Sequence, residues 1–159
     1  MVDRSTTATR HSWRNLDFSG PFVEIPWQDS FSKPQFDLIR RGAIPEEMED
    51  RWFAFYEEPE LFLHRSWSGL CFYRVTFARY GERYAVQSAR VRDWEGLEIE
   101  DEVKFIDFLV HRLLLEEPRP FPRLRRHSVP PPPPRRGFID RWLRRWRKRG
   151  TSGTTLWNG

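Results

Sequence analysis

The feature that most constrains this fold is a change in hydrophobic period near residue 95. Residues 52–92 hold short apolar and aromatic segments separated by turn-forming residues, and the segments at 70–77 and 83–92 alternate along the chain, which is typical of β-strands. Residues 99–114 instead repeat apolar side chains every three or four positions, as on one side of an α-helix. Because such a helix needs an apolar surface to pack on, and the strands provide one, the sequence predicts a two-layer α+β domain.

The strand region predicts an antiparallel meander of four strands. Residues 52–56 and 61–65 flank a turn and form a hairpin, and residues 70–77 and 83–92 supply the third and fourth strands. Simple alternation along the third strand groups Cys71, Tyr73, Val75 and Phe77 opposite Phe72, Arg74 and Thr76. Along the fourth strand it groups Tyr84, Val86, Ser88 and Arg90 opposite Ala85, Gln87, Ala89 and Val91. Cys71 is thereby expected to be a small buried hydrophobic side chain.

One long helix and an irregular N-terminal arm complete the predicted architecture. The helical stripe is formed by Ile99, Val103, Ile106, Val110, Leu113 and Leu114, widened by Phe105 and Leu109. Residues 1–44 show no sustained period and are expected to form an irregular arm. Within the arm, a helix of about two turns is expected between Ser32 and Gly42, with Pro34 in its first turn and Gly42 as its stop. Residues 45–117 are the predicted folded domain.

The charge of the chain changes abruptly at Pro118. Residues 1–117 carry 15 Lys and Arg against 22 Asp and Glu, whereas residues 118–159 carry 12 against 1. The formal net charge of +4 therefore conceals an acidic domain and a basic tail. Five prolines at 130–134 favour a semi-rigid polyproline II spacer. The predicted tail consists of a Pro/Arg-rich linker at 118–137, a basic amphipathic helix at 138–150 and a disordered end at 151–159.

The basic helix has the clearest partner chemistry in the sequence. Six positive charges fall within residues 141–149, interleaved with Trp142 and Trp146. This arrangement fits an anionic membrane surface, nucleic acid or an acidic protein face, and the aligned apolar side chains favour a membrane surface or a protein groove. The acidic domain of the same chain is an alternative, intramolecular partner. The predicted binding residues are Arg141, Trp142, Arg144, Arg145, Trp146, Arg147 and Lys148.

The string His-Arg-Ser-Trp-Ser-Gly at residues 64–69 holds the candidate site of the domain. As a binding site, Arg65, Ser66 and Trp67 would clamp an anionic or planar group by charge-assisted hydrogen bonds and stacking. His64 is the candidate catalytic residue. Adjacent strand residues point to opposite faces, however, which argues against joint action of His64 and Arg65.

A purely structural role for the same turn is the favoured alternative. Trp67 would then cap the open end of the core, and Arg65 would pair with a glutamate across the hairpin, namely Glu57, Glu58 or Glu60. The spacing of the histidines indicates no metal site, and no cofactor is predicted.

Three segments resemble a group of bacterial domains that have a Trp-Phe strand and an HRSWTG-like turn. The segments are residues 45–53 (PEEMEDRWF), 61–69 (LFLHRSWSG) and 71–73 (CFY), with Ser68 in the place of the usual Thr. Such domains are found alongside ADP-ribose-processing or macro domain proteins. The resemblance covers about residues 45–78 and implies no defined activity, but it favours a ligand site at His64, Arg65 and Trp67.

The sequence favours a non-enzymatic interaction module, whose domain binds a protein or a small anionic ligand and whose tail tethers it to an anionic surface. The alternative is a small enzyme or binding domain for a nucleotide-like, ADP-ribose-type ligand that uses residues 64–67. A third hypothesis is a toxin- or immunity-type protein whose acidic domain masks its basic helix. The single cysteine and the lack of a long apolar segment predict a cytoplasmic protein, membrane-peripheral if the tail binds lipid.

Overall fold

The computed structural model describes residues 2–16, 20–47 and 49–125, which form an α+β domain around one antiparallel sheet. The predicted α+β class with an antiparallel sheet is confirmed. The tail segments predicted beyond Arg125 lie outside the described residues. The elements are β1 (Phe22–Ile25), β2 (Ser30–Ser32), α1 (Lys33–Arg41), β3 (Trp52–Glu57), β4 (Glu60–Arg65), β5 (Cys71–Tyr80), β6 (Arg83–Arg92), α2 (Ile99–Leu109) and a π-helical turn (Val110–Leu114) that continues α2.

The predicted meander forms β3 to β6, but the sheet has six strands rather than four. Its order is β1-β6-β5-β4-β3, and β2 pairs with β6 further along the same edge. The N-terminal arm is therefore not wholly irregular. β1 and β2 have four and three residues, too few for a hydrophobic period to be recognised in the sequence. Both cover backbone groups of β6 that would otherwise form an open edge.

Two β-bulges change which side chains share a face. His64 pairs with Cys71 while Leu63 pairs with Tyr73, so Phe72 is an extra residue in β5. The predicted grouping of Cys71 with Tyr73 is therefore wrong, because a bulge reverses the alternation beyond it. Cys71 itself is fully buried, as expected, but on the face opposite Tyr73.

The second bulge lies between β5 and β6. Thr76 pairs with Ser88 and Phe77 pairs with Val86, which leaves Gln87 as an extra residue in β6. Simple alternation along the fourth strand fails at this point. The side chains of β6 that pack on the helix-side core are Tyr84, Val86, Ala89 and Val91.

The helix-side core joins the apolar stripe of α2 to one face of the sheet. The stripe buries Phe105, Ile106, Leu109, Val110 and Leu114, as its period predicts, although its last turn is π-helical. The short helix predicted in the arm is confirmed as α1. A reciprocal capping box of Ser32 and Gln35 starts α1, and Gly42 ends it. The domain thus has two helices in place of one.

Arg4 joins the carboxyl ends of both helices. Its guanidinium donates hydrogen bonds to the carbonyl oxygens of Leu38 and Gly42 at the end of α1, and to that of Leu114 at the end of the π-helical turn. Helix carboxyl ends carry partial negative charge and unpaired carbonyl groups. A single arginine therefore satisfies both ends and fixes the arm to the helical layer.

The arm also covers the second face of the sheet, so the domain is not simply two-layered. A smaller apolar cluster on this face consists of Ala8, Phe53, Phe55, Phe62 and Cys71, with Trp13, Phe22 and Ile44 packed against it. Arg10 binds Glu57 through two hydrogen bonds, and the Leu16 amide donates to the carbonyl of Gly69. Among residues 2–125 as described, no helix has both the length and the hydrophobicity to cross a membrane.

Candidate functional site

The residue 64–69 turn joins β4 to β5 and is held by backbone and side-chain hydrogen bonds. The Gly69 amide donates to the carbonyl of Arg65 at 2.8 Å, and the Arg65 amide donates to the carbonyl of Leu70 at 2.9 Å. Ser66 is buried, and its hydroxyl donates to the carbonyl of Asp50 at 2.6 Å. These contacts use Ser66 to attach the turn to the chain before β3, which places its hydroxyl in a structural role.

His64 points toward the arm side of the sheet. Its ring is fully buried between Phe53 and Phe55, at centroid distances of 5.9 and 5.5 Å. Nδ1 lies 2.9 Å from the carbonyl oxygen of Gly69, and since a carbonyl only accepts, Nδ1 carries the proton. Burial lowers the pKa of His64 to about 4. The side chain is therefore neutral and enclosed at neutral pH.

Arg65 points toward the helix side, so the structure does not bring His64 and Arg65 to one pocket. Its guanidinium lies 4.3 Å from the ring centre of Trp52, and the residue is 2% exposed. Burial lowers the pKa of Arg65 to about 9. A buried guanidinium stacked on an indole is held in a fixed position by cation–π attraction and packing.

The predicted pairing of Arg65 with a glutamate of the β3–β4 turn is wrong. Arg65 pairs in the sheet with Trp52, whereas Glu57 and Glu60 pair with each other at the opposite end of the hairpin. Strands extend by about 3.3 Å per residue, which separates the two ends far beyond hydrogen-bond reach. Glu60 instead binds two other arginines, Arg74 at 2.7 Å and Arg90 at 2.9 Å.

A groove of about 910 Å³ opens between the start of the chain, the beginning of β3 and α2. Arg65 lies in its lining, and Trp67, which is half-buried, does not. Its aromatic walls are Trp52, Phe105, Phe108 and Phe121. The charged residues that line it are Arg4, Arg51, Arg65, Arg112, Glu49, Asp50 and Glu116.

Three of the four lining arginines are candidates for anion binding, since the fourth, Arg4, is bound to Glu116 and to helix-end carbonyl groups. Arg65 is buried, Arg51 is half-buried and Arg112 is exposed, so they are graded from depth to surface. Two of the carboxylates are already engaged. Asp50 accepts hydrogen bonds from the amides of residues 46 and 47 at 3.0 and 3.2 Å. Glu116 lies 3.7 Å from the guanidinium of Arg4.

A buried polar pair lies behind Arg65. The hydroxyl of Tyr73 donates to the carboxylate of Glu102, a residue of α2 that is only 3% exposed. Burial raises the pKa of Glu102, and burial also raises the pKa of Tyr73. Glu102 favours the positive charge of Arg65 while Arg51 opposes it. The deepest arginine of the groove therefore lies near a buried tyrosine–carboxylate pair.

Sequence reasoning found Arg65 but missed the other groove residues. Arg51 and Arg112 are far apart in the chain and look like ordinary surface charges, and only the packing of α2 on the sheet brings them together. Phe108 and Phe121 stack edge to face at 5.3 Å, which brings the segment after α2 back along that helix. Only the high aromatic content, 16% of the chain, hinted at an aromatic wall.

We compared the chain with family models, with curated proteins and with solved structures, and none of the three comparisons gave a match. The resemblance of residues 45–78 to HRSWTG-type domains stays a sequence-based prediction. The geometry of the groove is therefore the basis for inferring a function.

Proposed function

We propose that the domain is a binding module for a small anionic ligand with a flat ring, of nucleotide type, and that the ligand occupies the groove beside Arg65. The observation that carries this proposal is the buried guanidinium of Arg65, stacked on Trp52 in the lining of a groove that has four aromatic side chains. Of the predicted ligand residues, Arg65 alone is retained. Ser66 and Trp67 are replaced in the proposal by Arg51 and Arg112.

The chemistry of the lining supports a ligand that combines charge and flatness. Guanidinium groups form paired, charge-assisted hydrogen bonds with phosphate or carboxylate oxygens. Phe105, Phe108 and Phe121 offer ring faces and edges on which a planar group could stack. The groove volume of about 910 Å³ suits a ligand of nucleotide size.

Binding without catalysis is favoured by the nature of the lining side chains. Among the described residues of the groove there is no histidine, cysteine, serine or threonine. Of the three lining carboxylates, Asp50 binds backbone amides and Glu116 binds Arg4, and Glu49 has no histidine, cysteine, serine or threonine beside it in the lining to complete a catalytic set. His64, the sequence-predicted acid or base, lies on the opposite side of the sheet.

A tethering role for the tail is a second proposal, which the charge distribution supports. Twelve basic residues against one acidic residue follow residue 117. We propose that residues 138–150 bind an anionic membrane surface, while the groove binds its ligand separately. The test is flotation with vesicles of phosphatidylserine and phosphatidylcholine at increasing salt. Binding that is absent at low salt, or unchanged when residues 135–149 are deleted, would contradict the tether.

The groove is tested by NMR titration of the full chain with ADP-ribose, AMP, ribose 5-phosphate and inorganic phosphate. The double variant Arg51→Met, Arg112→Met removes two charges while keeping the aliphatic stems, and Arg79→Met is the control, since Arg79 is an exposed residue of β5 outside the groove. Loss of one charged hydrogen bond costs about 1.5–3 kcal/mol, so we expect at least a tenfold rise in Kd for the double variant. The control should bind like the wild type.

Two outcomes would overturn the groove proposal. One is the absence of chemical-shift changes at Trp52, Phe105 and Phe108 with every probe at millimolar concentration. The other is equal weakening by the double variant and by Arg79→Met, which would indicate non-specific attraction to positive charge.

A further inference from the structure

A second cluster of charged side chains lies away from the groove, where the β1–β2 connection meets the end of α2. Asp29 comes from the connection, Asp107 from α2 and His111 from the π-helical turn. One ligand atom from each of the three lies within 4.8 Å of the others. Asp107 and His111 are four residues apart, a spacing that puts two metal ligands on one helix face. Sequence spacing could not indicate the cluster, because Asp29 precedes His111 by 82 residues.

The imidazole of His111 faces carboxylates with both nitrogens. Nε2 lies 2.7 Å from Oδ2 of Asp29 and 3.6 Å from Oδ1 of Asp107, and Nδ1 lies 2.8 Å from Oε2 of Glu117. A carboxylate only accepts hydrogen bonds, and a neutral imidazole has one N–H. If Nδ1 donates to Glu117, then Nε2 and Asp29 meet as two lone pairs. With either tautomer of the neutral ring, one nitrogen therefore faces a carboxylate oxygen with no hydrogen between them, and a cation bound at Nε2 would resolve that contact when Nδ1 donates to Glu117.

The charge around the ring favours a divalent cation in this position. Three carboxylates surround His111. Asp107 accepts a hydrogen bond from the neighbouring cation Arg119 at Oδ2, at 2.5 Å, and one from the indole of Trp27 at Oδ1, at 3.2 Å. Two negative charges remain uncompensated when the ring is neutral. A single proton neutralises one of them, whereas a divalent ion neutralises both. The His111 side chain is 8% exposed and the three carboxylates are between 26% and 37% exposed, so water screens this imbalance only in part.

The surroundings of the ring resemble those of a histidine that binds metal. Such histidines commonly donate their second N–H to a carboxylate, which fixes the ring and makes the ligand nitrogen more basic. Glu117 has this position, and its own amide donates to the carbonyl of His111 at 2.9 Å. Phe31 packs against the imidazole with a centroid distance of 5.7 Å. The ring is therefore held in place before any ion arrives.

We propose that Asp29, Asp107 and His111 bind a divalent transition-metal ion of zinc type, with Glu117 as the group that orients His111. Imidazole and carboxylate ligands suit zinc and its neighbours, and three protein ligands leave a coordination position for water. The ion would connect the β1–β2 segment to α2. It serves as a clamp on the sheet edge and is independent of the ligand groove.

The test uses the full chain after dialysis against EDTA, titrated with Zn²⁺ and, for its absorption bands, with Co²⁺. We expect one tight equivalent, and a rise in Tm of about 5 °C or more at a hundredfold excess over Kd. Asp29→Asn should raise the Kd for Zn²⁺ at least tenfold. The controls are His11→Gln, which changes an exposed histidine of the arm, and His127→Gln, which changes a histidine of the tail.

A readout specific to the ring keeps the proposal testable if a variant folds poorly. Long-range ¹H–¹⁵N spectra of wild-type imidazoles distinguish a metal-bound Nε2 from a protonated one. We expect the Nε2 signal of His111 to lose its proton-bound character as Zn²⁺ saturates. The proposal is overturned if His111 stays doubly protonated in saturating Zn²⁺, or if Asp29→Asn binds Zn²⁺ as well as the wild type. It is equally overturned if His11→Gln or His127→Gln abolishes the binding.

Discussion

The burial of His64 predicts that acid weakens this fold through one identifiable residue. In the native state the pKa of His64 falls from its ordinary value of 6.5 to about 4, with burial as the main cause. The unfolded chain therefore takes up a proton at His64 near pH 6.5, whereas the native chain resists protonation until about pH 4. Because the unfolded state binds more protons in this window, stability is lost as pH falls through it.

The magnitude follows from the difference in pKa. A lowering of about 2.5 pH units at about 1.4 kcal/mol each gives a loss of about 3 kcal/mol between pH 7 and pH 4. Because the residue is fully buried, solvent screening does not reduce this figure much. A loss of that size is a large fraction of the stability of an ordinary domain.

The assay is urea unfolding followed by circular dichroism at several pH values, on the wild type and two variants. His64→Asn keeps a donor for the Gly69 carbonyl, and His64→Phe keeps a ring between Phe53 and Phe55, while neither titrates. Both variants should be less stable than the wild type at pH 7. Between pH 7 and pH 4, however, the free energy of unfolding of each variant should fall by about 3 kcal/mol less than that of the wild type.

Carboxylates titrate in the wild type and in both variants, so their contribution to the pH dependence cancels in the comparison. His11→Asn is the control for removal of an exposed histidine. The reasoning is refuted if the wild type and both His64 variants lose the same free energy of unfolding between pH 7 and pH 4, within about 0.5 kcal/mol.

Three further predictions test the packing. Burial raises the pKa of the Cys71 thiol to about 12. This single cysteine should therefore react with a thiol reagent only as fast as the domain unfolds. Rapid labelling of the native protein would contradict its burial. Gly42→Ala should lower the free energy of unfolding by about 3 kcal/mol or more, since a Cβ would lie 2.2 Å from the carbonyl oxygen of Ala54. Gly81 has a similar positive φ but open space around it, so Gly81→Ala should cost only about 1–2 kcal/mol. Thermal unfolding of the two variants measures the difference. Arg4→Ala should lower the free energy of urea unfolding by about 2–4 kcal/mol, because three helix-end carbonyl groups lose their donor. The control is Arg10→Ala, which removes an exposed ion pair. Equal effects of the two substitutions would refute the role of Arg4.

The central strands and the stripe of α2 could be predicted because local periodicity decides them. β3 and β4 are marked by apolar and aromatic runs on either side of a turn, and β5 and β6, with ten residues each, are long enough for alternation to be visible. β1 and β2 could not be recognised, since short edge strands are fixed by the partner they pair with. The bulges at Phe72 and Gln87 were equally invisible, because an extra residue is defined only against the opposite strand.

The candidate site shows the same division between local and long-range information. The alternation of side chains along β4 places His64 and Arg65 on opposite faces of the sheet, which the sequence predicts. The structure shows what packs on each face. One face is closed by the arm, which encloses His64 among Phe53, Phe55 and Cys71. The other is covered by α2 except beside Arg65, where the groove remains.

Neighbouring residues of one strand can thus differ completely in function, because the sheet separates two environments with different packing. The arm side has no room for a ligand at His64, whose ring nitrogen is already bonded to the backbone of its own turn. The helix side places a buried positive charge next to aromatic rings and at the edge of solvent. An anion that reaches Arg65 regains electrostatic stabilisation that burial removed, without requiring the side chain to move. That asymmetry favours a binding function for the turn on its Arg65 side and a structural function on its His64 side.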